Sequence, residues 1–127
     1  MLTFIRCGLI GWCMEICWTG IRSMLQRDAR LTGQSSLWMF PIYGMASAIV
    51  PFYPMIKPLN ILLRGYLYMI CFFAVEYVTG SLLRFFGACP WDYSECRFQV
   101  NGLIRLDYGP AWFGAGLFLE WLLCRLV

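Results

Sequence analysis

The chain contains no histidine, which removes the commonest general base, the commonest transition-metal ligand and the usual pH-sensing side chain at once. Charged residues are also scarce: they make up 13% of the sequence, against roughly 25% in an average soluble domain. The ten basic residues form no run or stripe, so the electrostatic footprint of nucleic-acid binding is missing. We therefore expect no nucleic-acid partner.

Two common catalytic signatures are missing as well. The sequence has no G-x-x-x-x-G-K-[ST] phosphate loop, which excludes nucleotide hydrolysis of the usual kind. Without histidine no Ser-His or Cys-His pair is possible, so an enzyme would have to use Glu, Asp, Tyr or Cys alone. We expect no catalytic residue and no cofactor. Paired C-x-x-C zinc spacing is absent too, and the sequence leaves open whether a metal binds elsewhere.

Apolar residues are abundant, at 61% of the chain. An α-helix needs about 20 mostly apolar residues to cross a bilayer, and four such segments occur, at approximately residues 3–25, 37–56, 60–86 and 106–126. The sequence predicts an all-α polytopic membrane protein, a four-helix transmembrane bundle forming one domain over residues 1–127. Pro51 and Pro54 should kink or stop the second helix. Residues 98–106 are compatible with an interfacial stretch or with an early start of the fourth helix.

Seven cysteines do not by themselves indicate a disulfide framework. Five lie in apolar segments, where free cysteine behaves as a small hydrophobic residue. Only Cys89 and Cys96 fall in a predicted loop, and a bridge between them would require an oxidising compartment. Both the bridged and the free state of this pair remain open.

Three glutamates, Glu15, Glu76 and Glu120, each stand alone in a predicted membrane span. A carboxylate at the bilayer centre costs roughly 2.5–3.5 kcal/mol, so it usually faces the protein interior or a wet cavity. Since helices one and three run in the same direction, Glu15 and Glu76 should both lie near mid-membrane, with Glu120 closer to an interface. The prediction therefore favours a Glu15–Glu76 pair over a site made of all three.

The residues around these glutamates allow two interpretations. One is a carboxylate-lined pocket for a cation, a proton or a basic group; the other is purely structural, with each glutamate hydrogen-bonded to Tyr, Trp, Thr or Arg. In the loop, Asp92 could bind solute at a pore mouth, or its neighbourhood could simply form a tight interfacial turn. The candidate ligand-binding residues are Glu15, Glu76, Trp12, Thr19, Tyr43, Tyr77, Thr79, Asp92, Tyr93, Asn101 and Glu120.

Five strings resemble a known membrane family: Gly11-Trp12-x-x-Glu15, Pro41-Ile42-Tyr43-Gly44, Glu76-Tyr77-x-Thr79-Gly80, Trp91-Asp92-Tyr93-Ser94 and Asn101-Gly102-Leu103-Ile104. They occur in this order in bacterial membrane proteins of the CmpB-like, or type IV, ABC-transporter group. The resemblance covers nearly the whole chain. Residues 76–120 are also similar to the animal transmembrane protein 229 family. The resemblance implies a small polytopic α-helical protein of the bacterial plasma membrane.

These observations lead to one functional hypothesis and two alternatives. We expect a small integral membrane protein that binds, or helps to move, a polar or cationic solute through an intramembrane carboxylate-containing cavity. Because four helices are few for a translocation path, we expect a homo-oligomer or an accessory subunit of a larger complex. The alternatives are a structural or regulatory membrane subunit without a ligand and, less favoured, a lipid-modifying enzyme. The expected partners are the lipid bilayer and an unknown small solute or lipid.

Overall fold

The computed structural model describes residues 1–126, which form four helices and one short hairpin. The helices are α1 (Leu2–Leu25), α2 (Met39–Ile56), α3 (Ile61–Phe85) and α4 (Gly109–Leu126). By length and composition α1, α2 and α3 can each cross a membrane. The predicted all-α polytopic membrane protein is thus confirmed, and its apolar helices contact the lipid bilayer. A span at α4 remains a prediction, and Val127 lies outside the described residues.

Helix α3 begins and ends where local chemistry dictates. The side-chain oxygen of Asn60 accepts a hydrogen bond from the backbone N–H of Leu63 at 2.9 Å, which caps the first turn. At the other end Gly87 adopts a φ of 68°, and the Ala88 N–H bonds to the Leu83 carbonyl at 2.8 Å. The Gly87 N–H bonds in turn to the Arg84 carbonyl at 3.0 Å, which completes a Schellman motif.

Helix α2 is irregular at its middle. Residues Met45–Ala48 form a 3-10 turn between the α-helical stretches Met39–Gly44 and Ile49–Ile56. Pro51 has no N–H to donate, and its ring crowds the carbonyl four residues earlier, at Ser47 in the 3-10 turn. The helix ends at Ile56, two residues after Pro54, as the prolines predict.

The loop before α4 contains a feature that the sequence did not reveal. Strands β1 (Gln99–Val100) and β2 (Ile104–Arg105) pair antiparallel, with Val100 opposite Ile104. Asn101 and Gly102 turn the chain with φ values of 52° and 68°, a region that these two residue types tolerate best. A 3-10 turn then leads into α4 at Gly109. Residues 98–106 are therefore not an early start of the helix, and their place at the membrane interface stays a prediction.

Contacts group the chain into two compact units, Met1–Ser47 and Ala48–Val127. In the first unit, α1 packs against the first half of α2. A Cβ on Gly11 would lie 2.2 Å from Cγ of Tyr43, so only glycine allows this approach. The rings of Trp12 and Phe40 add a tilted contact at 4.9 Å. The prediction of a single domain stays a prediction.

In the second unit, α4 packs against α3 and against the second half of α2. A Cβ on Gly116 would lie 2.3 Å from the Cβ of Tyr68, and one on Gly65 would lie 2.3 Å from the ring of Phe113. One glycine on each helix therefore receives an aromatic residue of the other. Small residues of this kind are what allows membrane helices to approach closely.

This packing predicts different effects for two neighbouring glycines of α4. Gly116→Ala places a methyl group on the Tyr68 side chain and should destabilise the protein by about 1–3 kcal/mol, the usual cost of overpacking. Gly114→Ala is the matched control, because a Cβ there meets nothing within 4 Å. Thermal unfolding of the two variants in detergent measures the difference. Equal stability of the two variants would contradict the packing described.

Candidate functional site

Glu76 is one of the most deeply buried polar residues of the second unit. It lies on α3 and is 8% exposed. The phenol of Tyr93, from the loop between α3 and α4, donates a hydrogen bond to Oε1 of Glu76 at 3.1 Å. The ring of Tyr93 packs edge-on against Tyr108, with centroids 5.9 Å apart. A hydroxyl group of the loop is thus hydrogen-bonded to a carboxylate within an apolar helix.

Two further contacts hold the hairpin turn against the same helix. The amide of Asn101 donates to the hydroxyl of Tyr77 at 2.8 Å, one residue along from Glu76. Two turns further on, Nη1 of Arg84 donates to the carbonyl of Asn101 at 2.6 Å. The predicted site residues Glu76, Tyr77, Tyr93 and Asn101 therefore do come together in one region.

Gly80 explains how the loop comes so close to α3. A Cβ at this position would lie 2.9 Å from the indole of Trp91 and 2.9 Å from Leu103. The Trp91 indole N–H donates to the Leu103 carbonyl at 2.9 Å, which ties the two loop residues to each other. Thr79 behaves differently: its hydroxyl donates to the Val75 carbonyl of its own helix at 2.6 Å. The Thr79 hydroxyl therefore makes its hydrogen bond within α3.

An open cavity of about 370 Å³ lies where α3 meets this loop. Its polar lining comes from Arg84, Asp92, Ser94 and Asn101, with Trp91 as the aromatic wall. Asp92 accepts a hydrogen bond from the Ser94 backbone N–H at 3.0 Å. Hydrogen bonds from the Ser94 side chain and backbone hold the pKa of Asp92 below its ordinary value. Asp92 therefore carries a negative charge at neutral pH.

Glu120 is held by two residues of the neighbouring helix. It is 6% exposed, and its Oε1 lies 3.1 Å from Nη2 of Arg64, while the phenol of Tyr68 donates to the other oxygen. Arg64 and Tyr68 are one turn apart on α3, so both reach the same carboxylate. The carboxylate is therefore ion-paired and anchors α4 to α3.

Glu15 belongs to the first unit, where it contacts the connection between α1 and α2. The Ser35 hydroxyl donates to its Oε2 at 2.8 Å. One turn on either side, the Trp12 indole donates to the Ser36 carbonyl at 2.9 Å, and the Thr19 hydroxyl accepts from the Gln34 N–H at 2.8 Å. Trp12, Glu15 and Thr19 thus share one polar face of α1, and the connection folds onto it.

The structure also shows polar residues that sequence reasoning did not select. Arg64 pairs with Glu120, and Arg84 donates a hydrogen bond to the hairpin turn. The spacing of Arg64 and Tyr68, four residues apart, was the available signal for the first. Cys89 and Cys96 are both free cysteines in the structure.

The comparison with known proteins identifies the family of the chain. The family described as "Putative ABC-transporter type IV" matches residues 2–127. The chain belongs to this family. No solved structure gives a significant match to it. The predicted resemblance to the CmpB-like, type IV family is confirmed, while the similarity to the transmembrane protein 229 family stays a prediction.

Membership of the type IV family bears directly on the site. The motifs that carried the resemblance supply Glu15 and Tyr43 in the first unit and Glu76, Tyr93 and Asn101 in the second. In the second unit Tyr93 of the loop donates a hydrogen bond to Glu76, and Asn101 donates one to Tyr77. Among residues 1–126 no group of three or more acidic or cysteine side chains is placed to hold a metal ion. Some of the sequence segments that carried the resemblance therefore supply hydrogen bonds between α3 and the loop that follows it.

The ion pair at Glu120 predicts an energetic coupling. A double-mutant cycle of Arg64→Gln and Glu120→Gln should give about 0.5–3 kcal/mol of interaction energy in unfolding experiments, because the two side chains touch in a buried setting. Arg125→Gln with Glu120→Gln is the control, since Arg125 is exposed and lies over the Trp121 ring at 4.5 Å. A coupling no larger than that of the control would argue against the pair.

The turn at Asp92 predicts a dependence on pH. A carboxylate whose folded pKa is lowered adds stability above its unfolded pKa, about 3.9, and loses it as the pH falls through the folded value. The hydrogen-exchange protection factor of the Ser94 amide should therefore fall in acid below about pH 4. Asp92→Asn should show reduced protection at pH 7 and no further acid-dependent loss. A wild-type protection factor that does not change with pH would be the contrary result.

Proposed function

We propose that the protein binds a polar or cationic solute and helps to move it through an intramembrane, carboxylate-containing cavity. The observation that carries this proposal is the buried Glu76 carboxylate, placed inside a membrane span and hydrogen-bonded by Tyr93 of the loop. An ionisable residue inside a span is costly and is by default associated with a solute or ion pathway. Membership of a family described as ABC-transporter type supports the same class.

Glu120 and Glu76 make different contacts within the second unit. Glu120 already has a guanidinium partner in Arg64, so a cation would have to compete with a built-in charge. The contact that Glu76 makes with Tyr93 is to a neutral hydroxyl, which an incoming donor can displace at small cost. Displacement would release Tyr93 and thereby loosen the loop from α3. Binding at the carboxylate and movement of the loop would then be linked.

Glu15 is the second carboxylate of the proposal. It too accepts a hydrogen bond from a neutral hydroxyl, that of Ser35, in the connection between α1 and α2. We propose that Glu15 and Glu76 both serve the solute, with Trp12, Thr19 and Tyr43 arranged around the former. Since four helices are few for a complete path, we further propose that the protein works as a homo-oligomer or as an accessory subunit in the bacterial plasma membrane.

A specific observation also favours the structural alternative. Each of the three glutamates accepts a hydrogen bond from a side chain of its own unit. Such contacts are also what glutamates that only fix helix packing would make. In that case the protein would be a structural or regulatory membrane subunit.

The two possibilities differ in their response to neutralising the carboxylates. We expect arginine, choline or ammonium to raise the unfolding temperature of the wild-type protein in detergent, and Glu76→Gln to weaken that effect about tenfold or more. Glu15→Gln should behave in the same way. Glu95→Gln is the matched control because it removes an exposed carboxylate of the loop. Uptake into proteoliposomes should follow the same order.

Two outcomes would count against solute binding. If Glu76→Gln folds normally and keeps the full response to these cations, the carboxylate does not bind them. If none of the cations shifts the wild-type unfolding temperature, and Glu15→Gln and Glu76→Gln each lower it, the glutamates act in packing. That second pattern supports the structural subunit.

A further inference from the structure

The open cavity between α3 and the loop is a place in the second unit where both signs of charge face the same space. Arg84 lines it from the last turn of α3, and Asp92 lines it from the loop. Glu15, Glu76 and Glu120 are not among the residues that line it. The inference drawn from this cavity therefore stands apart from the solute role proposed for Glu76 and Glu15.

The two charged groups of the cavity keep hydrogen-bonding capacity for a ligand. Arg84 uses Nη1 for the Asn101 carbonyl, and a guanidinium has five N–H donors. Asp92 uses Oδ1 for the Ser94 turn, and a carboxylate has about four lone-pair positions. In the part of the chain that the structure describes, Arg84 and Asp92 form no ion pair with each other. Beside the Ser94 hydrogen bonds, the Arg84 charge helps to lower the pKa of Asp92, so the two charges act on each other without direct contact.

Gly102 keeps open the gap that separates these groups. A Cβ at this position would lie 2.8 Å from Oδ1 of Asp92 and 3.1 Å from Nη2 of Arg84. The absence of a side chain leaves Oδ1 of Asp92 and Nη2 of Arg84 both next to the same small space. A ligand that enters this gap meets a donor fork and an acceptor within a short distance.

Two exposed aromatic residues stand in the sequence between the cavity-lining residues Arg84 and Gly87. Phe85 and Phe86, at the end of the membrane-spanning α3, are 83% and 71% exposed. Trp91 forms the aromatic wall of the cavity itself. A tryptophan near the end of a span is typical of the level of the lipid headgroups. At that level the most abundant polar groups carry a phosphate, and many carry an ammonium as well.

We propose that this cavity binds a zwitterionic group, with its phosphate or carboxylate on Arg84 and its ammonium on Asp92. A lone anion would gain the guanidinium but meet the carboxylate, and a lone cation would meet the reverse, so only a ligand with both charges satisfies the whole lining. A volume of about 370 Å³ suits a small zwitterion such as a phosphoethanolamine group. That group can belong to a membrane lipid or to a free solute.

The first experiment compares ligands on the wild-type protein. Binding of phosphoethanolamine to the purified full chain in detergent is measured by calorimetry, beside inorganic phosphate and ethanolamine, which carry one charge type each. We expect phosphoethanolamine to bind at least about tenfold more tightly than either half, since it alone engages both groups. Equal affinity for phosphate and phosphoethanolamine, or no saturable binding of phosphoethanolamine in any form, would overturn the proposal.

The second experiment assigns the binding to the two side chains. Arg84→Gln and Asp92→Asn should each weaken phosphoethanolamine binding about tenfold or more. Their controls are Arg97→Gln and Glu95→Gln, which make the same charge changes at exposed loop positions outside the cavity lining. If Arg84→Gln fails to fold, Arg84→Lys retains the charge without the fork and should still lose affinity. Equal losses in the control variants would refute the assignment.

A third arm identifies the source of the zwitterion. Nanodiscs of phosphatidylethanolamine and of phosphatidylglycerol are compared by native mass spectrometry of the released protein. Retention of the former lipid alone, abolished by Arg84→Gln and by Asp92→Asn, indicates a headgroup site. Tight binding of free phosphoethanolamine without selective retention of the lipid indicates a soluble zwitterion. If the lipid is not retained and free phosphoethanolamine does not bind, the proposal is refuted. The role of Glu76 is tested separately, by the cation experiments.

Discussion

A carboxylate inside an apolar helix requires hydrogen-bond donors, and this requirement organises the structure around each glutamate. Water is not available in a bilayer to provide them, so the protein must supply its own. Glu76 accepts a hydrogen bond from the phenol of Tyr93, and Glu15 accepts one from the hydroxyl of Ser35. Glu120 accepts one from Tyr68 and forms an ion pair with Arg64. Two of these carboxylates therefore tie an irregular segment to a helix, and the third ties two helices together.

The loop between α3 and α4 shows the structural consequences most clearly. For Tyr93 to reach Glu76, the loop backbone has to lie close against the helix, and Gly80 provides the space for Trp91 to do so. The Asn101 turn is then fixed from the helix side by Tyr77 and by Arg84. The same loop and the last turn of α3 line an open cavity at the end of the helix.

The sequence predicted the helices well because their signals are local. Long apolar segments, the cap at Asn60 and the glycine at position 87 determine where a helix forms and ends. The hairpin escaped prediction because its strands have two residues each, too few for an alternating pattern. The Arg64–Glu120 pair escaped because a reading along the chain cannot show which face of α3 meets α4. The clustering of Tyr93 and Asn101 near Glu76 was likewise a matter of tertiary contacts, although the residues themselves had been selected.

The central claim is that a loop hydroxyl stabilises the buried carboxylate of α3, and hydrogen exchange in Tyr93→Phe tests it most directly. Tyr66→Phe serves as the comparison, because Tyr66 lies on the exposed side of the same helix. The account predicts that loss of the Tyr93 hydroxyl speeds amide exchange in the α3 segment around Glu76 as well as in residues 87–107, and that Tyr66→Phe leaves both unchanged. Faster exchange confined to residues 87–107, with the segment around Glu76 fully protected, would contradict the account.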